Sequence, residues 1–118
     1  MINLCSFMEE LVKTCDVINV EEESKKNPNG AVVIFTQKGC PHCPEAVEET
    51  KKVLQDKLTI IEAELDEAGA CVELFDRFNV QNTPSVIYFK GGEESKRITI
   101  QGRTWEDIRN ELKTWGEG

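Results

Sequence analysis

Short apolar runs along the chain predict the strands of a β-sheet. Runs that are rich in β-branched residues and bounded by polar or glycine-containing segments are typical of buried strands. The segments with this character are 31–36, 58–65, 85–90 and 96–101. Gly91 and Gly92 stand between the last two segments, and a short connection that contains glycine predicts an antiparallel hairpin.

Helices are predicted where apolar residues recur every three or four positions. This spacing is found over 4–15, 45–56 and 67–78, and in a last helix that begins at Thr104. The polar segment 21–30, which ends in turn-forming residues, is interpreted as a linker. The resulting order, α-β-α-β-α-β-β-α, predicts a mixed sheet of at least four strands with helices on both faces.

Composition and charge narrow the classes of protein to which the chain can belong. Its 118 residues, enough for one ordinary hydrophobic core, include 14 Lys and Arg against 22 Asp and Glu, a net charge of −8. This acidity argues against a nucleic-acid partner, whose phosphates favour basic residues. No apolar run is long enough to span a bilayer, and acidic residues interrupt residues 1–15, unlike a secretion signal. We therefore expect a cytoplasmic protein that binds neither nucleic acid nor membrane.

The cysteines separate into one close pair and three isolated residues. Cys40 and Cys43 form a C-x-x-C motif, and in a protein expected in the cytoplasm this spacing favours redox chemistry or metal binding over a structural disulfide. Cys5, Cys15 and Cys71 are interpreted as small buried hydrophobic residues on helix faces. A Cys15–Cys71 or Cys5–Cys15 bridge is conceivable, but nothing in the sequence supports either.

The C-x-x-C motif directly follows a predicted strand and leads into a predicted helix. At a helix N-terminus, unpaired backbone N–H groups and the helix dipole stabilise the Cys40 thiolate, which is the attacking form. Cys43, one turn inside the helix, is suited to resolve the mixed disulfide. His42 is the one histidine of the chain, and when protonated it would stabilise the thiolate and make the pair more oxidising. A structural zinc site needs four ligands, and no second C-x-x-C is present.

Three segments resemble the thioredoxin superfamily over residues 30–116. They are FTQKGCPHC after an apolar strand, NTPSVIYFKGGEE further along, and a closing helix after ITIQGRTW. Among its members, small archaeal proteins intermediate between thioredoxin and glutaredoxin are the most similar group. The resemblance implies an α/β, thioredoxin-like three-layer sandwich with a mixed four- to five-stranded sheet. The chain would then be a single domain, with a helix and linker over 1–29, and any short first strand would lie at 17–20.

The resemblance also implies roles for individual residues. Cys40 would be the nucleophile and Cys43 the resolving cysteine, while Pro41 and His42 would tune the reduction potential. The Thr83-Pro84 pair would have a cis peptide bond and would bind the extended substrate chain.

The chain departs from thioredoxins at the position of a buried acid. Ile34 stands where thioredoxins keep an aspartate that accepts the proton of the second cysteine, and Glu62 aligns with a family lysine on the following strand. Glu62 is therefore a possible acid–base group. The inner Pro-His pair resembles that of periplasmic disulfide oxidants instead of thioredoxins.

The function implied is dithiol reduction of protein disulfides, with no cofactor besides the redox-active Cys40–Cys43 disulfide. Electrons would come from a dedicated reductase or from glutathione. A reducing compartment favours a reductant, whereas His42 favours an oxidant. The alternatives are a glutathione-dependent, glutaredoxin-like reductase, a redox-inert adaptor whose acidic surface docks a basic partner, and a carrier that binds metal through the two thiolates.

Overall fold

The chain folds as alternating strands and helices around one sheet. A computed structural model describes residues 11–100 and 102–117. The strands are β1 (Leu11–Lys13), β2 (Ala31–Gln37), β3 (Thr59–Leu65), β4 (Ser85–Lys90) and β5 (Glu93–Thr99). The helices are α1 (Val17–Lys26), α2 (Cys43–Leu54), α3 (Val72–Arg77) and α4 (Trp105–Glu117).

The strand order in the sheet is β1-β3-β2-β4-β5. β3 runs parallel to both β1 and β2, so α2 returns the chain across the sheet as the crossover of a β-α-β unit. β4 runs antiparallel to β2, and β5 antiparallel to β4. β2 is thus a central strand, and the residues that follow it leave the middle of the sheet. The predicted mixed α/β sheet with helices on both faces is confirmed.

Side-chain alternation along β2 supplies both halves of the hydrophobic core. Val32 and Ile34 pack on the face covered by α2 and α4, together with Leu54 and Trp115. The residues between them face the other way, toward α1 and α3. Because β2 is buried on both faces, its sequence is a continuous apolar run instead of an alternating one.

The N-terminal segment differs from the prediction of a helix over 4–15 and a linker over 21–30. Residues 11–13 form β1, and residues 4–10 lie outside the described residues. Pairing with the buried strand β3 decides the conformation there, and three residues are too few to show a strand period. Residues 17–26 are helical, so a strand over 17–20 is also wrong.

Helix α1 has a start signal that the sequence does contain. The Asp16 carboxylate accepts a hydrogen bond from the backbone N–H of Ile18 at 3.0 Å, which caps the helix. Its buried residues are Val20 and Ser24, one turn apart. The remaining polar residues of the segment predicted as a linker form the exposed faces of a helix.

Two further boundaries are corrected by the structure. β5 begins at Glu93 instead of residue 96, because a two-residue turn at Gly91 and Gly92 brings the chain straight back along β4. The first five residues of β5 are exposed and polar, so an apolar run could not reveal them. Helix α3 covers only Val72–Arg77 of the predicted 67–78, since residues 66–71 form turns.

Candidate active site

The Cys40–Cys43 pair lies where β2 ends and α2 begins. After Gln37 the chain turns, and the backbone N–H of Cys40 donates to the Gln37 carbonyl at 3.0 Å. Gly39 has φ +88°, a conformation that glycine adopts without cost. Cys43 is the first residue of α2 instead of lying one turn inside it as predicted, and Pro44 follows in the first turn, where its missing N–H has no intrahelical partner to lose.

The two sulfurs of this pair are joined in a disulfide, with the Cα atoms 5.5 Å apart. Cys40 is half-buried, whereas Cys43 is 4% exposed. An incoming thiol or disulfide therefore reaches Cys40 first. The N-terminus of the twelve-residue helix α2 lies directly behind the pair, and its free N–H groups and dipole favour negative charge on a sulfur there.

A cavity of about 330 Å³ opens behind the two cysteines. Cys40, Cys43, Thr36 and Glu62 are among the residues that line it. The Glu62 side chain is only 13% exposed, and its carboxylate accepts a hydrogen bond from the Thr36 hydroxyl at 3.0 Å. The amine of Lys13, on β1, is 3.9 Å from the other carboxylate oxygen.

Strand register explains why Glu62 lies in this cavity. Ile34 and Glu62 are partners in the parallel pairing of β2 and β3, and both side chains point to the face covered by α2. Ile34 is fully buried and brings no polar atom to the cavity. The little-exposed carboxylate that lines this cavity thus comes from β3 instead of β2.

His42 lies on the outer side of the pair and is 69% exposed. Its Nδ1 is 3.3 Å from a carboxylate oxygen of Glu45, one turn further along α2. The Glu45 carboxylate is therefore the acidic group in contact with the His42 ring. Glu45 was not predicted from the sequence, although three-residue spacing on a helix is a signal that could have indicated the contact.

A second groove, of about 310 Å³, adjoins His42. Thr83 and Pro84 form one wall, and the peptide bond between them is cis. The groove is also lined by Arg103 and Trp105, which the sequence did not indicate. Arg103 lies in the connection from β5 to α4 and Trp105 is the first residue of α4, and nothing in their own sequence pattern links them to Thr83.

Arg103 remains charged at the rim of this groove. Its guanidinium donates to Asp107 at 3.0 Å and to Glu111 at 3.4 Å. The hydrogen bond to Asp107 is the main cause that raises the pKa of Arg103. Because both carboxylates belong to α4, the arginine is fixed to that helix and borders the groove beside Thr83.

A second disulfide links Cys15 to Cys71, with Cα atoms 4.6 Å apart. The interpretation of these two cysteines as unlinked hydrophobic residues on helix faces is therefore wrong, and Cys15 is exposed. Of these two cysteines, Cys71 is the buried one, at 5% exposure. Cys5 lies outside the described residues. A separation of 56 positions hides the contact between Cys15 and Cys71 from sequence spacing, because the segment after β1 and the start of α3 meet only in the folded chain.

Residues 31–96, more than half of the chain, match the family model described as a thioredoxin domain. The chain belongs to the thioredoxin family. Thioredoxin O2 of Arabidopsis thaliana is similar in fold, with a TM-score of 0.72 at 17% identity over 91% of this chain and 95% of that one. The oxidised thioredoxin of Plasmodium falciparum gives 0.69 at 16% identity, covering 90% and 98%. A thioredoxin of Trypanosoma brucei brucei gives 0.65 at 18%, covering 92% of each chain.

No helix within 11–100 and 102–117 is both long enough and apolar enough to cross a membrane. Over the same residues, no group of three or more His, Cys, Asp or Glu side chains is arranged to hold a metal ion.

Proposed function

We propose that this thioredoxin-family chain reduces disulfides of protein substrates by a dithiol mechanism. The observation that carries the proposal is the unequal exposure of Cys40 and Cys43 at the N-terminus of α2, beside the groove formed by Thr83 and Pro84. The Cys40 thiolate attacks one sulfur of the substrate disulfide, and the other substrate sulfur leaves as a thiolate. Cys43 then attacks Cys40, which releases the second substrate thiolate and forms the Cys40–Cys43 disulfide.

Thr83 is proposed to bind the substrate chain through its backbone. It is half-buried and borders the groove next to His42, so an extended segment lying there would bring its sulfur toward Cys40. An extended chain gives affinity through main-chain hydrogen bonds and leaves side-chain identity open. Such binding suits a protein that acts on more than one disulfide.

The direction proposed is reduction, and Glu45 supports it. A protonated His42 stabilises the Cys40 thiolate and so favours the reduced protein, which makes the pair a stronger oxidant. The Glu45 carboxylate, 3.3 Å from His42, offsets part of that charge. Pro41 is uncharged, so the two residues between the cysteines, Pro41 and His42, carry little remaining positive charge. Weak stabilisation of the Cys40 thiolate is consistent with a reductant in a reducing compartment such as the cytoplasm.

Glu62 is proposed to accept the proton of the Cys43 thiol. Cys43 is buried and must lose its proton before it can attack Cys40. The Glu62 carboxylate borders the same cavity and is held by Thr36. This assignment places on β3 the acid that other thioredoxins are expected to carry at the position of Ile34.

The proposed reaction passes electrons through the two cysteines and needs no bound cofactor. The oxidised protein must be returned to the dithiol by a donor, either a dedicated reductase or glutathione. A glutathione-dependent monothiol route needs only Cys40, so Cys43→Ser would keep its activity on glutathione mixed disulfides under that alternative. Loss of that activity would favour the dithiol route.

The function is tested by two measurements on the wild-type protein. It should accelerate the reduction of insulin by dithiothreitol, and equilibration in glutathione buffers with thiol trapping should give a potential near that of thioredoxin, about −270 mV. A rate equal to that of dithiothreitol alone would contradict the proposal. A potential above the cytosolic glutathione poise of about −220 mV would instead indicate an oxidant.

Replacing Glu62 by glutamine is expected to slow the release of substrate from Cys40 about tenfold at neutral pH. The tenfold factor is below the usual contribution of a general base, because water can enter the open cavity and accept the Cys43 proton in place of Glu62. The attack by Cys40 should keep its wild-type rate. Single-turnover quenched flow with a peptide disulfide separates the two steps.

The neighbouring Glu64 provides the matched control for this variant. It lines the same cavity but is exposed, so Glu64→Gln should leave the release step unchanged. Thr36→Val removes the hydroxyl that holds Glu62 and should slow release by a smaller factor. Equal release rates in Glu62→Gln and wild type would remove Glu62 from the mechanism.

A further inference from the structure

In the second disulfide, as in the proposed catalytic pair, one cysteine is more exposed than the other. Cys15 is exposed at the turn between β1 and α1, whereas Cys71 is 5% exposed at the start of α3. Attack on a disulfide depends on which sulfur can be reached. An external thiolate can therefore approach Cys15, and Cys71 would be the leaving sulfur.

The surface around Cys15 is an open groove with a negative balance of charge. It is lined by Cys15, by the carboxylates of Asp16, Glu21 and Glu73, and by Arg77. Arg77 is the one cation among these lining residues, and its guanidinium is 3.8 Å from Glu21. The remaining negative charge favours a positively charged molecule and repels an anionic one.

Exposed apolar side chains flank the same disulfide. Ile18 is 61% exposed and Val72 is 45% exposed, and they are the large hydrophobic side chains that are exposed in the described part of the chain. Ile18 lines the groove with Cys15, and Val72 directly follows Cys71. An accessible sulfur with carboxylates and apolar surface beside it suits a cationic thiol that carries some hydrocarbon.

We propose that Cys15–Cys71 is a second thiol–disulfide exchange site that accepts cationic thiols at Cys15. The incoming thiolate forms a bond with the Cys15 sulfur, the Cys15–Cys71 bond breaks, and Cys71 leaves as a thiolate that takes a proton from water. A second thiol molecule attacks the mixed disulfide at the non-protein sulfur. The products are two cysteine thiols in the protein and one small-molecule disulfide.

The test uses two small thiols of opposite charge, cysteamine and 2-mercaptoethanesulfonate. The protein is the folded Cys5→Ser, Cys40→Ser, Cys43→Ser variant, so that opening of the second disulfide is followed alone. Each rate is divided by that of the same thiol on hydroxyethyl disulfide, which removes differences in intrinsic reactivity. Cysteamine should be at least about threefold faster at about 0.01 M salt, and the two should converge at about 1 M salt, where charges are screened.

Glu73→Gln tests the origin of this preference and has a matched control. Removing one groove carboxylate should reduce the cysteamine preference at low salt, whereas Glu106→Gln, an exposed carboxylate on the opposite face of the sheet, should leave it unchanged. Peptide mapping after alkylation of the wild-type chain distinguishes the two disulfides, should the triple variant fail to fold.

Two variants that lack the second disulfide test whether the Cys15 sulfur is more accessible than the Cys71 sulfur. In Cys71→Ser the free Cys15 should react with cystamine at least about tenfold faster than the free Cys71 does in Cys15→Ser, because access controls exchange. Equal rates would overturn the assignment of Cys15 as the attacked sulfur. The exchange site itself would be overturned if the disulfide opened only in denaturant, or if cysteamine had no advantage at low salt.

Discussion

Cys40→Ser is expected to lower the catalysed reduction of insulin disulfides by about 10³-fold or more, to the rate of dithiothreitol alone. A serine hydroxyl is not ionised at neutral pH and is a far weaker nucleophile than a thiolate. The loss should be complete even though the buried Cys43 remains, because Cys43 is 4% exposed and a protein disulfide cannot reach it. Turbidity from precipitating insulin chains measures the rate.

Cys43→Ser should behave differently from Cys40→Ser, although it also stops turnover. Cys40 can still attack the substrate in this variant, but no second thiol resolves the mixed disulfide. A covalent complex of the protein with an insulin chain should therefore accumulate and map to Cys40 in a non-reducing digest. Cys5→Ser, which removes a cysteine outside the proposed mechanism, is the control and should keep the wild-type rate. A complex that maps to Cys43 would reverse the two roles.

The sequence predicted the parts of the fold in which local pattern and burial agree. β2 and β4 are apolar on both faces, so their runs stand out, and α4 carries a cap residue followed by a clear apolar stripe. The failures lie where a distant contact decides the conformation. β1 has three residues and exists because β3 offers a free edge, and the exposed start of β5 is fixed by its hairpin.

The same distinction applies to the functional residues. Cys40 and Cys43 are three positions apart in sequence and bonded in space, so their spacing was sufficient evidence. Glu62 could be predicted only through the resemblance, because register with Ile34 and not spacing brings it to the cavity. The Cys15–Cys71 bond was conceivable from the sequence but nothing there supported it, since its two cysteines are separated by 56 positions.

Trp115→Ala is expected to lower the free energy of unfolding by about 4 kcal/mol, the usual cost of emptying a buried aromatic site. The Trp115 side chain is 1% exposed, and its ring stacks on Tyr88 with centroids 5.8 Å apart. Tyr88 in turn donates a hydrogen bond to the Asn29 carbonyl at 2.6 Å. Loss of the indole therefore loosens the contact of α4 with both the sheet and Leu54 of α2, the helix that begins at Cys43. Denaturant unfolding followed by far-UV circular dichroism measures the change.

Trp115→Phe separates ring packing from the effect of the unpaired indole N–H at the same position. Phenylalanine keeps an aromatic ring against Tyr88, and it removes the indole N–H, a buried donor that has no partner among the described residues. An unpaired buried donor costs about 1–3 kcal/mol, which offsets part of the packing lost with the smaller ring. We therefore expect Trp115→Phe to stay within about 1.5 kcal/mol of wild type, the range of conservative core substitutions. If the phenylalanine variant were as unstable as the alanine variant, an aromatic ring against Tyr88 would not be enough for stability, and stacking on Tyr88 would not be what holds α4 against the sheet.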